Sequence, residues 1–330
     1  LTGSFMADNP AGRGAGRKGA VMKTGGWWLA GALMALLPNP AESKPKAEWI
    51  KKADPVTGRL VWQITSHDNI LYKTDVKKRR ETVWMDFNGK FSTPLRFSSS
   101  FSADARFTVV TTKTDSGIGL YRIDLENGAV QGVVWKAGPL SHPLLCPTNP
   151  DLITFVPGPD TQNDMTLPME KRARTWFADL KTGRTRPFLI MPYGFRATHE
   201  TWSADGRRFF FYKKSVPDWT PVAICSIDQN GEDRKQHYHH DAIRLGHGIS
   251  SRDGLWFLSD GQDPHKNQLI LIHLSSGEAT FLCWPNASLD EQPGQYGHVH
   301  PTLSASGRFA CYTSDATGVS QVYVVQTGLQ

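Results

Sequence analysis

Cysteine is scarce in this chain, four in 330 residues, and no two stand at the close spacing of a zinc or redox motif. Cys146, Cys225, Cys283 and Cys311 fall singly in strand-like segments. That distribution reads as buried free thiols rather than a disulfide framework or a cysteine-built metal cluster. Long apolar runs are missing too: the stretch from Trp27 to Leu37 is well short of the roughly 20 residues a membrane-spanning helix needs. Beyond that stretch no helix-period segment of useful length is visible, which excludes a helical bundle. A basic stripe interleaved with aromatics is also missing, so nucleic acid is not an expected partner.

What the chain does have is strand and turn chemistry. Aromatic residues at 11% and 30 glycines, against 21% charged residues, describe strands joined by tight turns. The formal net charge is +6, and the first 43 residues contribute Arg13, Arg17, Lys18 and Lys23 against Asp8 and Glu42. A mild positive excess suits an acidic substrate or simply a solvated surface. From Met22, one lysine precedes the apolar run, and Ala41-Glu42-Ser43 offers small residues at cleavage spacing. Residues 1–43 therefore read as a signal-like leader, with a vector remnant ahead of Met22, on a periplasmic or secreted protein. A mistaken start codon and a cytoplasmic protein are the competing readings. Residues 44–330 read as one domain.

That domain is repetitive. SFSADARFTVVTT with GLYRIDLENGAVQGVVW, TWSADGRRFFFYKK with VAICSIDQNGEDRKQ, SSRDGLWFLSD with QLILIHLSSGEATFLCW, and TLSASGRFACYTSD with QVYVVQT share one pattern. Apolar alternation on either side of Asp-Gly, Asn-Gly or Ser-Gly is the hairpin signal. The first turns, at Ser102, Cys146, Ser203, Ser251 and Ser304, recur every 44 to 57 residues. Four-stranded propeller blades have a period of about 40 to 50 residues. The expected fold is all-β, a seven-bladed β-propeller, with a pair of β-sandwiches as the alternative that the repeated register disfavours. Five blades are explicit. The others are expected in degenerate form over residues 54–97, with 59–65 joining the last sheet.

Four histidines share one address in this repeat. His142, His199, His247 and His300 each stand four residues before the serine or cysteine that opens the turn. On the inner strands of a toroidal fold they would converge on the axis, where imidazoles with a neighbouring amide can hold a divalent metal. Gln295, His298 and His300 lie close together in QYGHVH, and alternate strand positions would put His298 and His300 on one face. His239 and His240 remain rivals to His247. Trp202 and Tyr296 could stack on sugar rings or pack between blades, and His142 could bind substrate or be structural.

The strings HPLLCPTNPDLITF, RTWFADLKTG, HETWSADGRRFFFY, HGISSRDGLWF and QYGHVHPTLSASGRFACYTSD, with DPVTGRLVWQIT near the start, resemble the oligogalacturonate lyases. The resemblance implies a seven-bladed propeller that cleaves short uronate chains by β-elimination with a divalent metal, usually manganese, with calcium or zinc as alternatives. It implies that His247, Gln295, His298 and His300 are metal ligands, that His199 is the proton-abstracting base, and that Arg174 neutralises charge. VPGPDTQND stands where members of the family tend to show a His-Glu pair, and the first-blade histidine is missing. Both departures fall at sugar subsites, so another uronate, such as one in a glucuronate-containing glycan, stays open as substrate. A non-catalytic binding platform, or a hydrolase or isomerase with the same metal set, is the alternative function.

Overall fold

The computed structural model describes residues 70–75, 80–91, 93–262, 267–288 and 297–329. All of them belong to one compact unit, Arg59–Gln330. A hairpin of β1 (Ile70–Asp75) and β2 (Arg80–Asp86) comes first. Four antiparallel sheets of four strands follow. They are β3 (Leu95–Phe101), β4 (Phe107–Thr114), β5 (Gly117–Asp124) and β6 (Val130–Lys136); then β7 (Leu140–Leu145), β8 (Leu152–Pro157), β9 (Thr175–Asp179) and β10 (Arg184–Leu189). Next are β11 (Phe195–Trp202), β12 (Arg208–Ser215), β13 (Val222–Asp228) and β14 (Lys235–His240); then β15 (Arg244–Ser250), β16 (Trp256–Gln262), β17 (Asn267–His273) and β18 (Ala279–Cys283). The last sheet has β19 (Thr302–Leu303), β20 (Phe309–Ser314) and β21 (Gln321–Gln326).

Within each sheet the spatial order is the chain order, and the first strands are neighbours: β3 touches β7, β7 touches β11, β11 touches β15, and β15 touches β19. Meander sheets set side by side through their first strands are the blades of a β-propeller. The all-β propeller expected from the repeat is therefore observed. The count of seven blades, the joining of 59–65 to the last sheet, and the leader all concern residues outside those described. Among the described residues the only helical turn is the 3-10 segment Met169–Arg172, and no helix is long and apolar enough to cross a membrane.

The repeated serine sets the turn between the first two strands of a blade. The hydroxyl oxygens of Ser102, Ser203, Ser251 and Ser304 accept the N–H of Phe107, Arg208, Trp256 and Phe309, at 2.8 to 3.1 Å. In the first three turns the aspartate two residues on, Asp104, Asp205 or Asp253, accepts both the serine hydroxyl and a backbone N–H, an Asx-type clamp. Middle strands are apolar on both faces because a blade is covered on both sides. In β12, Phe209 and Phe211 pack toward the preceding blade with Phe188 and Trp202, while Phe210 and Tyr212 pack toward the next with Phe257 and Leu245. Period-2 alternation thus runs between two apolar environments. All four cysteines are free, Cys146 and Cys225 buried and Cys283 and Cys311 half-buried, as the sequence implied.

Candidate functional site

Inner strands of a propeller lie next to the axis, and here a backbone irregularity in three of them, β7, β11 and β15, aims a histidine. Register breaks fall between Ser141 and Leu144 in β7, between Thr198 and Thr201 in β11, and between Leu245 and Gly248 in β15. These bulges hold His142, His199 and His247, and bulges of this kind re-aim side chains beside active sites. His142, His199 and His300 have φ of 49°, 52° and 42°. A left-handed non-glycine residue costs about 1–3 kcal/mol, so three at one address mark a site where backbone strain is stored.

The imidazoles form one contiguous cluster. His247 and His300 lie 3.9 Å apart between ring centroids, His247 and His298 5.4 Å, and His298 and His300 5.6 Å. A nitrogen from each of these three falls within 4.8 Å of the others, a spacing suited to one shared cation. His199 stands edge-on to His247 at 4.5 Å and is outside that trio. The strand geometry expected for residues 298–300 is not what brings them together: they are irregular chain ahead of β19, pinned where Thr313 donates to the Val299 carbonyl at 2.8 Å.

Asp260 of β16 fixes His247. Its carboxylate accepts the His247 backbone N–H at 2.7 Å and the Nδ1–H at 3.1 Å, and its side chain is 1% exposed. An ionised carboxylate only accepts, so the ring proton sits on Nδ1 and the Nε2 lone pair is free for a metal. Glycines on either side make the approach possible: a Cβ on Gly246 would meet Asp260 Oδ1 at 2.4 Å, and one on Gly248 would meet the Tyr212 hydroxyl at 2.3 Å.

Burial, then the charges of Lys214, His247, His142 and Arg174, lowers the pKa of His199 to about 2. Burial, with the charge of His247, lowers that of His300 to about 4, and burial lowers that of His142. All three imidazoles are therefore neutral at pH 7, as a metal ligand or general base must be. The His199 Nδ1 is buried and has no hydrogen-bond partner. Lys214, itself buried, is lowered to about 8 by desolvation and stays cationic at neutral pH. The cluster opens into a cleft of about 650 Å³ lined by His142, His199, Glu200, His247 and His300 among others. Neutral nitrogen donors, a carboxylate behind one of them and an open cleft in front fit a divalent metal with room for a ligand.

Arg174 precedes β9, and its guanidinium already has a partner. Nε donates to Glu200 Oε1 at 2.8 Å and Nη2 to Oε2 at 3.5 Å, with the Glu200 side chain 2% exposed. The fork expected to grip a substrate carboxylate is thus held in place from one side, while Nη1 has no acceptor among the described residues. Arg172, expected on the same strand face, lies instead in the 3-10 turn. Trp202, a sugar-stacking candidate, packs in the core 6% exposed, against Phe209 at 4.9 Å and Phe188 at 6.1 Å; of the two roles open to it, packing is the one observed. His239 and His240 belong to the outermost strand β14 and are no rivals to His247; His240 Nδ1 accepts the N–H groups of Ala242 and Ile243. Gln295 and Tyr296 lie outside the described residues. Sequence reasoning missed Asp260 and Glu200; Glu200 directly follows His199 in β11, the one signal that pointed to it, and Asp260 in WFLSDGQ gave none.

No family model matches the sequence, and no curated protein does. Solved structures do match. An oligogalacturonate lyase in complex with manganese superposes with a TM-score of 0.64 at 19% identity, over 78% of this chain and 72% of that one. An oligogalacturonate lyase from Vibrio parahaemolyticus gives 0.63 at 19% identity, over 80% and 74%. TolB from Acinetobacter baumannii gives 0.55 at 16% identity, over 78% of this chain and 57% of that one. At these identities the likeness establishes the propeller fold.

Proposed function

We propose that this protein is a lyase that cleaves a 4-linked uronate in a short acidic oligosaccharide by metal-assisted β-elimination. The observation that carries the reading is the trio His247, His298 and His300 with a neutral, half-buried His199 set against it in the same cleft. His247, His298 and His300, with Gln295 as the fourth donor, would hold the metal. Three imidazoles favour a transition metal over calcium, which takes oxygen ligands, and manganese agrees with the lyase complex that shares the fold. Bound there, the metal would supply a Lewis acid for the substrate carboxylate and so stabilise charge that develops as the C5 proton leaves.

The chain's own residues do the rest. His199 takes the C5 proton; the released electron pair forms the C4–C5 double bond, the C4–O bond breaks, the departing oxygen takes a proton from solvent water, and His199 returns its proton to solvent. A neutral imidazole in hydrogen-bond reach of that proton is the required base. Arg174, braced by Glu200, opposes the negative charge that grows on the carboxylate, and the brace spares it reorganisation during the reaction. His142 lines the same cleft and contacts the sugar. An acidic oligosaccharide panel, followed by ultraviolet absorbance of the conjugated product with manganese and with chelator, tests the proposal. A chelator-sensitive rise supports elimination. Cleavage that takes up a water molecule without any rise in absorbance replaces it with hydrolysis.

A further inference from the structure

We infer that Arg172 is a second carboxylate-binding residue, which takes an acidic group of the sugar next to the one that reacts. This rests on the proposed acidic oligosaccharide substrate. Arg172 ends the 3-10 turn Met169–Arg172 and is 7% exposed. Its Nε is buried with no partner, and the one hydrogen bond of its guanidinium among the described residues goes to the Met165 sulfur at 3.2 Å. A buried guanidinium normally meets carboxylates or carbonyls, because five N–H donors taken from water without acceptors leave a large desolvation penalty unmet. Asp164, whose pKa is lowered first by the hydroxyl and N–H of Thr166 and only last by the charge of Arg172, makes no ion pair with it.

The placement suits a ligand of the cleft. Arg172 lies two residues before Arg174, so the two Cα atoms are within about 7 Å. Arg174 contacts Glu200, which lines the cleft beside His199. The connection that carries Arg172 is fastened to β11 two residues from His199: the Gln162 carboxamide accepts the Ala197 N–H at 2.8 Å and donates to its carbonyl at 3.2 Å, and Gly194 donates to Asn163 at 3.1 Å. Arg196 adds an ion pair to Asp160 in the same connection. An oligouronate carries a carboxylate on each ring, so an unmet cation two residues from Arg174, whose partner Glu200 lines the cleft, matches the next ring. The same connection is the stretch where the sequence departs from the lyase pattern.

The test compares wild type with Arg172→Met, which keeps an apolar stem of similar reach without the charge. With trigalacturonate and manganese, KM should rise about 10- to 100-fold, the loss of a charged hydrogen bond, with the change on KM rather than kcat. An oligomer methyl-esterified on the non-reacting ring should be a poor ligand for wild type and no worse than the free acid for the variant. Tm of the ligand-free variant should hold or rise, because an unpaired buried cation has gone. An unchanged KM, or a fall in Tm by several degrees without loss of acid-over-ester preference, overturns the inference and makes Arg172 structural. Calorimetric binding of trigalacturonate in a His199→Ala background separates this from failure of the lyase reading. If wild type never eliminates but binding still depends on Arg172, only the proposed reaction fails.

Discussion

Replacing Asp260 by asparagine alters the proposed metal site at its support without touching a ligand. The amide oxygen can still accept the His247 backbone N–H, which the carboxylate takes at 2.7 Å, so the strand pairing survives. The other contact is inverted. Where Oδ2 now accepts from His247 Nδ1 at 3.1 Å, an NH₂ group would donate, which drives the ring proton to Nε2 and removes the lone pair a metal needs. Losing such a supporting carboxylate typically weakens metal affinity about 10- to 100-fold. That is about 1.4–2.8 kcal/mol. Manganese titrated into chelator-stripped Asp260→Asn and wild type, by calorimetry or by electron paramagnetic resonance of free ion, should show that gap while Tm confirms the fold. An affinity within about twofold of wild type would refute the tautomer argument and the role of His247 with it.

Other outcomes follow from the same geometry. His298→Ala should lose stoichiometric manganese while the blades stay folded, since they are held by strand packing; full occupancy by metal analysis would remove His298 from the site. His199→Ala should keep metal and substrate but lose elimination by about two to four orders of magnitude, the range for a lost general base, and near-normal turnover would send the search for the base to His142. Acidification should weaken the metal-free protein. Folding holds His199 near 2 and His300 near 4, mainly by burial, against the usual 6.5 of an imidazole, so below that pH the unfolded chain takes up protons first. Stability is therefore full above about pH 6.5 and falls progressively toward pH 4 and below. Urea midpoints should show it, and a His199→Gln protein should decline less steeply; identical slopes would contradict the assignment. Gly248→Ala sets a methyl 2.3 Å from the Tyr212 hydroxyl and 2.5 Å from the Leu258 carbonyl, overpacking that costs about 1–3 kcal/mol. Thermal melting should drop by a few degrees, and an unchanged Tm would mean the contact relaxes freely.

Much of the fold could be read from one local device. The Ser-x-Asp turn recurs because a hydroxyl five residues before the next strand closes the same hydrogen bond each time, and that regularity exposes the blades in sequence. The histidine address was legible for the same reason: a fixed offset from a fixed turn is a fixed place on the inner strand for His142, His199 and His247, and just ahead of it for His300. Partners that come from across strands were not legible. Asp260 reaches His247 only because of the bulge between Leu245 and Gly248, and Glu200 meets Arg174 across two blades, so neither pairing has a sequence spacing. His298 and His300 come together through a stretch of chain that is not a strand, so their proximity arises from a local geometry other than the one expected. Trp202 illustrates the reverse: an aromatic three residues from His199 was drawn into the interblade core by Phe188 and Phe209.

The central claim is that the histidine trio holds the metal against which His199 abstracts a proton. It is tested most directly by adding manganese stepwise to chelator-stripped protein in the presence of trigalacturonate while absorbance of the unsaturated product is recorded. The account predicts no product without metal, a rate that rises to a plateau at one equivalent, and no plateau activity in His298→Ala. Product formed at full rate in the stripped protein, or restored equally in His298→Ala, would contradict it.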